Sequence, residues 1–285
     1  MRRIYMSSNN TLLEEKSKAA RKSLLKVVHH AGAGHIGGPL SAIDVLTALY
    51  FKEMNVEPTN PYKVDRDRFV LSKGHSAIGL YAVLAEKGYL DQKELYTFDS
   101  LDSRLQGHPD MKILPGIEMS TGSLGQGISA AVGMALGAKV QDQSFRTYCM
   151  IGDGESQEGQ VWEAAFIASK YELDNLVVIL DYNKLQQYGW VGTNTERAVP
   201  NDLVEEKWES FGWNVIRIDG HSFEDILEGF RQAKLVKQKP TILIADTVKG
   251  KGISFMENNY LWHSRIPTDE ELSLALKELD ESGDL

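Results

Sequence analysis

Apolar positions in residues 12–31 (LLEEKSKAARKSLLKVVHHA) recur at the spacing of an α-helix, and Gly32 follows where such a helix would stop. After the glycine-rich turn GAGHIGGP, residues 41–54 (SAIDVLTALYFKEM) predict a second amphipathic helix with Ser41 as its N-cap. The pattern then changes period. RFVLS (68–72) is short, apolar and β-prone, and it gives way to the helical GHSAIGLYAVLAEKGY (74–89). Past the loop QGHPDMKILPG (106–116), predicted helices at 124–140, 160–172, 203–212 and 223–237 alternate with predicted strands at 147–153, 176–183, 213–220 and 240–248. Thr268 and Glu271 have capping-box spacing ahead of LSLALKEL, which places a surface helix in the C-terminal stretch 267–285. This alternation predicts an α/β fold: a doubly wound, mainly parallel sheet with helices on both faces. A single domain over 1–285 is expected, with 1–11 as a frayed N-terminus.

Composition narrows the field. The chain of 285 residues is long enough for a full hydrophobic core. A net charge of -9 without a basic stripe argues against a nucleic-acid partner, so anionic ligands must be held by local groups. The one cysteine, Cys149, lies in the apolar run TYCMI and reads as a buried, inert thiol, so no disulfide is expected. No apolar segment reaches the roughly 20 residues of a membrane span, and MRRIYMSSNN has no apolar run behind its arginines. These features predict a cytoplasmic protein with no membrane partner.

Ligands of parallel sheets bind beyond the carboxyl ends of the strands. Five polar clusters fall there: Ser72–His75, Gly152–Gly154, Asp181–Asn183, Asp219–His221 and Lys249–Gly252. Asp153 and Asn183 stand at consecutive strand ends, thirty residues apart, and with a carbonyl of the following turn they would offer the oxygen ligands that suit Mg²⁺ sharing its shell with phosphate. Gly152 and Gly154 would let backbone N–H groups approach that phosphate. Four of seven histidines, His35, His75, His108 and His221, directly follow glycine in loops, which favours a site with imidazoles around a polar substrate. His29 and His30 sit instead at a helix end. The order in TGSLGQG (121–127) is not that of a dinucleotide fingerprint, and KGKG (249–252) lacks the residues of a Walker loop.

GDGE followed by Asn183 resembles the thiamine diphosphate motif. GHIGGPLS, SKGHS, QGHPD, STGSLGQG and EGQVWEA, in this order, resemble the amino-terminal half of transketolases, over about residues 12–270. The resemblance implies Asp153, Asn183 and the backbone carbonyl of Leu185 as ligands of Mg²⁺ (Ca²⁺ and Mn²⁺ accept the same donors), with Gly154, His75 and His263 on the diphosphate. It implies Gly122 and Leu124 on the aminopyrimidine. His35 and His108, with His75 and His263, match histidines that line the substrate channel and move protons on sugar hydroxyls. Glu158 and Glu163 match acidic residues joining two active sites across a dimer interface, with Glu158 implied as catalytic and cofactor-binding in a buried interfacial proton network, whereas Glu155 is read as solvated.

The implied reaction is transfer of a two-carbon ketol unit from a ketose, or its phosphate, to an aldose. The pyrimidine-binding domain of a full transketolase has no counterpart here. The expectation is therefore a split enzyme: this chain as the diphosphate-binding subunit, inactive alone and paired with a pyrimidine-domain subunit, in an α₂β₂ assembly. The partner would supply the arginines for sugar phosphates. One departure stands at Gln187, Tyr188 and Trp190, around Gly189, where the family usually has an aliphatic and an acidic residue before the glycine. It is read as a sign of a branched or sulfonated sugar, or as neutral drift. Other readings are a 1-deoxyxylulose-5-phosphate synthase or 2-oxoacid dehydrogenase component, a non-catalytic regulatory paralogue, and a metal-dependent phosphohydrolase.

Overall fold

Among the described residues five short, β-prone runs form strands, all parallel in one sheet of order β1-β2-β3-β5-β4. They are β1 (Arg68–Leu71), β2 (Thr147–Gly152), β3 (Leu176–Tyr182), β4 (Asn214–Asp219) and β5 (Thr241–Asp246). The computed structural model describes residues 2–187 and 203–281, with side chains from residue 10 onward. Successive residues of a strand point to opposite faces, so strands apolar throughout need helices on both. Tyr148 and Met150 of β2 accordingly join one apolar cluster, and Cys149 and Ile151 the other; Val177 and Ile179 of β3 divide from Val178 and Leu180 in the same way.

The first face is covered by α1 (Arg2–Ala31), α2 (Gly37–Ala48), α3 (Ala77–Lys87), α7 (Phe223–Leu235) and α8 (Asp269–Glu281), through residues such as Leu24, Ile43, Tyr81, Phe230 and Leu279. The second face is covered by α4 (Gln126–Val140), α5 (Gly159–Lys170) and α6 (Val204–Ser210). Trp208 of α6 packs there between Trp162 and Trp213, with ring centroids 4.9 Å from each. Cys149 is fully buried, and burial pushes its thiol well above the usual range, as an inert core residue requires.

Two helix starts differ from expectation. Helix α1 begins at Arg2 rather than near residue 12; the stretch contains no Gly or Pro to stop helix propagation upstream. Helix α2 begins at Gly37, and Ser41 lies inside it rather than capping it. Pro39 falls in the first turn, where its missing N–H breaks no helical bond. The Ser41 hydroxyl donates instead to Gly38 O (2.8 Å) and is within 2.6 Å of Asp181 Oδ2, at the end of β3. The capping box of α8 forms as predicted: Thr268 N–H donates to Glu271 Oε2 (2.9 Å) and Glu271 N–H to Thr268 Oγ1 (3.2 Å).

Helices α1 and α2 are locked to the sheet by buried ions. The Arg21 guanidinium donates to both oxygens of Asp44 at 2.7 Å, and His221 Nδ1 meets the same carboxylate at 2.7 Å. His221 Nε2 accepts the Val248 N–H (2.8 Å), so both ring nitrogens are engaged in holding the β4 and β5 ends. Among the described residues no helix is long and apolar enough to cross a membrane.

Candidate active site

The ends of β1, β2 and β3 and the segment after β5 open into one cavity of about 490 Å³. His35, His75, His108, His263, Gly122, Leu124, Asp153, Gly154, Asn183 and Leu185 all line it, so residues spread over most of the chain meet in one place. The fifth strand end does not join them: His221 faces a second crevice and is consumed by the Asp44 and Val248 contacts. Glu158 and Glu163 are exposed on this chain, at the start and along α5, and neither lines the cavity. Gln187 is at the cavity wall, while Tyr188 and Trp190 lie outside the described residues.

Because β2 and β3 are neighbours, with Gly152 opposite Asp181, the residues just past each strand face one turn. Asp153 Oδ1 accepts the Gly154 N–H (2.7 Å) and Oδ2 accepts the Lys184 N–H (2.6 Å). Asn183 Oδ1 accepts the Leu185 N–H (3.1 Å). Burial, reinforced by the charge of Asp181, pushes the Asp153 carboxyl up to about 7 despite these donors. A cation beside Asp153 would reverse that. One carboxylate, one amide oxygen and one carbonyl make a sparse oxygen set, which fits Mg²⁺ with water and phosphate completing its shell. Among the described residues no cluster of three His, Cys, Asp or Glu side chains offers a competing metal site.

Two buried lysines, each from a polar strand-end cluster, complete the floor, and their partners are not marked in the sequence. Lys73, 2% exposed, forms an ion pair with Asp181, 1% exposed, and donates to Gly38 O (3.1 Å). Burial pushes the Asp181 carboxyl up, but the Lys73 ammonium and hydrogen bonds from Lys73, Ser41 and Thr247 outweigh it and hold the acid below its usual range. Asp181 also receives the Asn183 Nδ2 (3.3 Å), which turns the amide oxygen of Asn183 away toward the metal-type turn. Lys249 Nζ donates to Leu185 O (3.3 Å) and to His263 Nδ1 (2.8 Å), and burial lowers its pKa to about 8. With Nδ1 as acceptor, His263 keeps its proton on Nε2.

His35, His75 and His263 form a triangle with ring centroids 5.1, 5.1 and 5.3 Å apart. Burial is the main reason all three are held neutral: His35 falls to about 4 and His263 to about 3, with neighbouring histidines and the two lysine charges adding to it, and His75 moves the same way. The site thus joins cationic lysines, neutral imidazoles and one turn of hard oxygen donors.

Glu155 is not solvated. It is 2% exposed and accepts from Ser72 Oγ (2.5 Å), Gly125 N–H (2.9 Å) and Gly152 N–H (3.1 Å), tying together the β1 end, the β2 end and the start of α4. The loop before α4 closes down on β1 as well, with Thr121 Oγ1 donating to Leu71 O (2.7 Å). The close approach explains one glycine: a Cβ on Gly74 would stand 2.7 Å from Gly122 N. Gly122 itself has φ +153°, and its missing Cβ leaves room for the His108 ring 3.0 Å away.

The family model of the thiamine diphosphate binding domain of transketolase matches residues 14–279. An apulose-4-phosphate transketolase subunit of Phocaeicola vulgatus is 44% identical over 269 residues, 94% of each chain. A 6-deoxy-6-sulfo-D-fructose transketolase subunit of Clostridium sp. (strain MSTE9) is 44% identical over 278 residues, 98% of this chain and 100% of its own. A crystal structure of transketolase from Campylobacter jejuni superposes with a TM-score of 0.86 at 32% identity, covering 95% of this chain but 43% of that one. The family model, the relatives and the structural match, each across nearly the whole chain, agree: this chain belongs to the transketolase family, as its thiamine diphosphate-binding part.

Proposed function

We propose that this chain is the diphosphate-binding subunit of a split transketolase, which moves a two-carbon ketol unit from a ketose to an aldose together with a separate pyrimidine-domain subunit. The observation that carries the reading is the union, in one cavity, of the Asp153–Asn183 turn with the three neutral imidazoles. Its support for a split enzyme comes from two relatives of matching length that are each described as a transketolase subunit.

In this reading Asp153, Asn183 and the Leu185 carbonyl hold Mg²⁺. Gly154, His75, His263 and Lys249 receive the diphosphate, and Gly122 and Leu124 flank the aminopyrimidine. When bound, thiamine diphosphate supplies the carbanion stabilisation that ketol transfer needs. His35 and His108, at the cavity wall, accept and return protons at sugar hydroxyls; the His35 imidazole, held neutral by burial, accepts a proton without first losing one. Glu158 and Glu163 face a second copy of the chain in an α₂β₂ assembly, where their exposure on the single chain ends. Cytoplasmic residence suits the buried Cys149 thiol.

Two relatives with the same 44% identity are described with different sugars, one with apulose 4-phosphate, the other with 6-deoxy-6-sulfo-D-fructose. Identity at this level does not choose a donor, so a non-standard sugar is the second reading. The test is ketol transfer with thiamine diphosphate and Mg²⁺, for the chain alone and mixed with a candidate pyrimidine-domain chain, across xylulose 5-phosphate, apulose 4-phosphate and 6-deoxy-6-sulfo-D-fructose donors. Turnover only in the mixture is expected, and the preferred donor is then read directly. Full turnover by the chain alone would refute the split, and phosphate release without thiamine diphosphate would point to a phosphohydrolase.

In the active mixture, His35→Ala is expected to lower kcat on the order of 10²-fold, the effect of losing one acid–base group, with cofactor affinity nearly unchanged. A large loss of cofactor affinity would place His35 on the diphosphate instead.

A further inference from the structure

Gln186 follows the turn formed by Asn183, Lys184 and Leu185, and its side chain lies along the glycine turn at the end of β2. Its Cγ is 3.3 Å from where a Cβ on Gly154 would stand. The side chain lines the cavity, yet its Nε2 is buried and has no hydrogen-bond partner among the described residues. A buried amide donor without an acceptor is unfavourable, and native proteins seldom keep one that no ligand or neighbour satisfies. The cavity around it is rich in donors, with the ammonium of Lys249 reaching Leu185 O, one residue before Gln186. What would satisfy Gln186 is an acceptor, and an anion brings several.

We infer that Gln186 is a binding residue for the anionic end of the cofactor, its Nε2 donating to a phosphoryl oxygen beside Gly154. The inference rests on the thiamine diphosphate reading above and deepens it. Neither the GDG turn nor the histidines announce this contact, because the donor is a side chain one residue past the Leu185 carbonyl, in a stretch that holds no glycine and no histidine.

The test uses the chain in complex with its pyrimidine-domain partner, with Gln186→Leu, which keeps the bulk and deletes the donor, and Gln186→Glu, which places a carboxylate beside the anion. Thiamine diphosphate binding is measured by titration calorimetry with Mg²⁺, and the thermal midpoint is measured without cofactor. The Leu variant is expected to bind about tenfold more weakly, the worth of one hydrogen bond to a charged group. Its cofactor-free midpoint is expected to stay level or rise, because an orphaned donor has gone. Gln186→Glu is expected to bind at least as weakly, and competition by inorganic pyrophosphate to weaken in step. Unchanged affinity in the Leu variant would overturn the inference, as would a fall in its cofactor-free midpoint that accounts for the weaker binding. Failure of the wild-type complex to bind thiamine diphosphate at all would overturn the reading beneath it instead.

Discussion

Asp153→Asn is expected to abolish Mg²⁺-dependent binding of thiamine diphosphate while leaving the fold intact, and to remove a pH dependence that the wild type shows below neutrality. The free carboxyl is pushed up to about 7 by burial and by the charge of Asp181. A cation needs the carboxylate form, so below that value binding must first displace a proton, and affinity falls by up to about tenfold per pH unit. Above it the dependence flattens. His35 and His263 do not confuse the measurement: at about 4 and about 3 they remain neutral throughout the window from Asp153's pKa down to weakly acidic pH.

The same shift has a stability sign. A raised carboxyl pKa contributes stability that is fully present below the ordinary value of 3.8 and is lost as pH rises through about 7. The cofactor-free chain is thus least favoured by Asp153 at neutral pH, where Mg²⁺ would help it most. Titration calorimetry across this range, with circular dichroism as the control for folding, checks both parts. Undiminished binding by the Asn variant would remove Asp153 from the metal site.

Lys73→Met is expected to destabilise the chain by about 3–5 kcal/mol at pH 7, the typical effect of stripping one partner from a buried ion pair. Lys73 and Asp181 are 2% and 1% exposed, so water cannot take over the role of the missing ammonium. Ser41, Thr247 and Asn183 would still donate to Asp181, but these are neutral donors facing a charge. The double variant Lys73→Met, Asp181→Asn removes both charges and is expected to recover much of the loss, since an uncharged pair has no desolvation to repay. Urea unfolding of the single and double variants measures this. A single-variant loss under about 1 kcal/mol would mean that the pair behaves like a surface salt bridge.

Much of the fold was legible because its signals are local. Apolar runs bounded by glycine, proline or polar clusters give all five strands, and Thr268 with Glu271 gives the start of α8. Helix α2 was misplaced because Gly37, Gly38 and Pro39 read as a turn, yet all twelve residues of the helix are buried, and packing overrides weak propensity. The meeting of Asp153 and Asn183 in one cavity was legible because one strand pair sets it. Glu155 was not: its partners Ser72 and Gly125 lie 83 and 30 residues away, and nothing near it in sequence announces burial. Lys73 and Lys249 stand in strand-end clusters, but their burial was not legible, because lysine is rarely buried without a partner and theirs lie 108 and 14 residues away. Glycine-flanked histidines were a mixed signal, since His35, His75 and His108 reach the cavity while His221 clamps Asp44.

The pairing of β2 with β3 also decides when in the life of the chain the cofactor site comes into being. Asp153 and Asn183 belong to different strands, and the helix α5 must cross over and dock before those strands lie side by side. The histidines come from still more distant segments, so bringing the site together depends on non-local contacts, whose loop-closure cost must be met first. A chain whose sheet has not closed therefore does not present the assembled site to a ligand. Cofactor loading marks a finished sheet, and a protease that meets the chain earlier competes with folding alone.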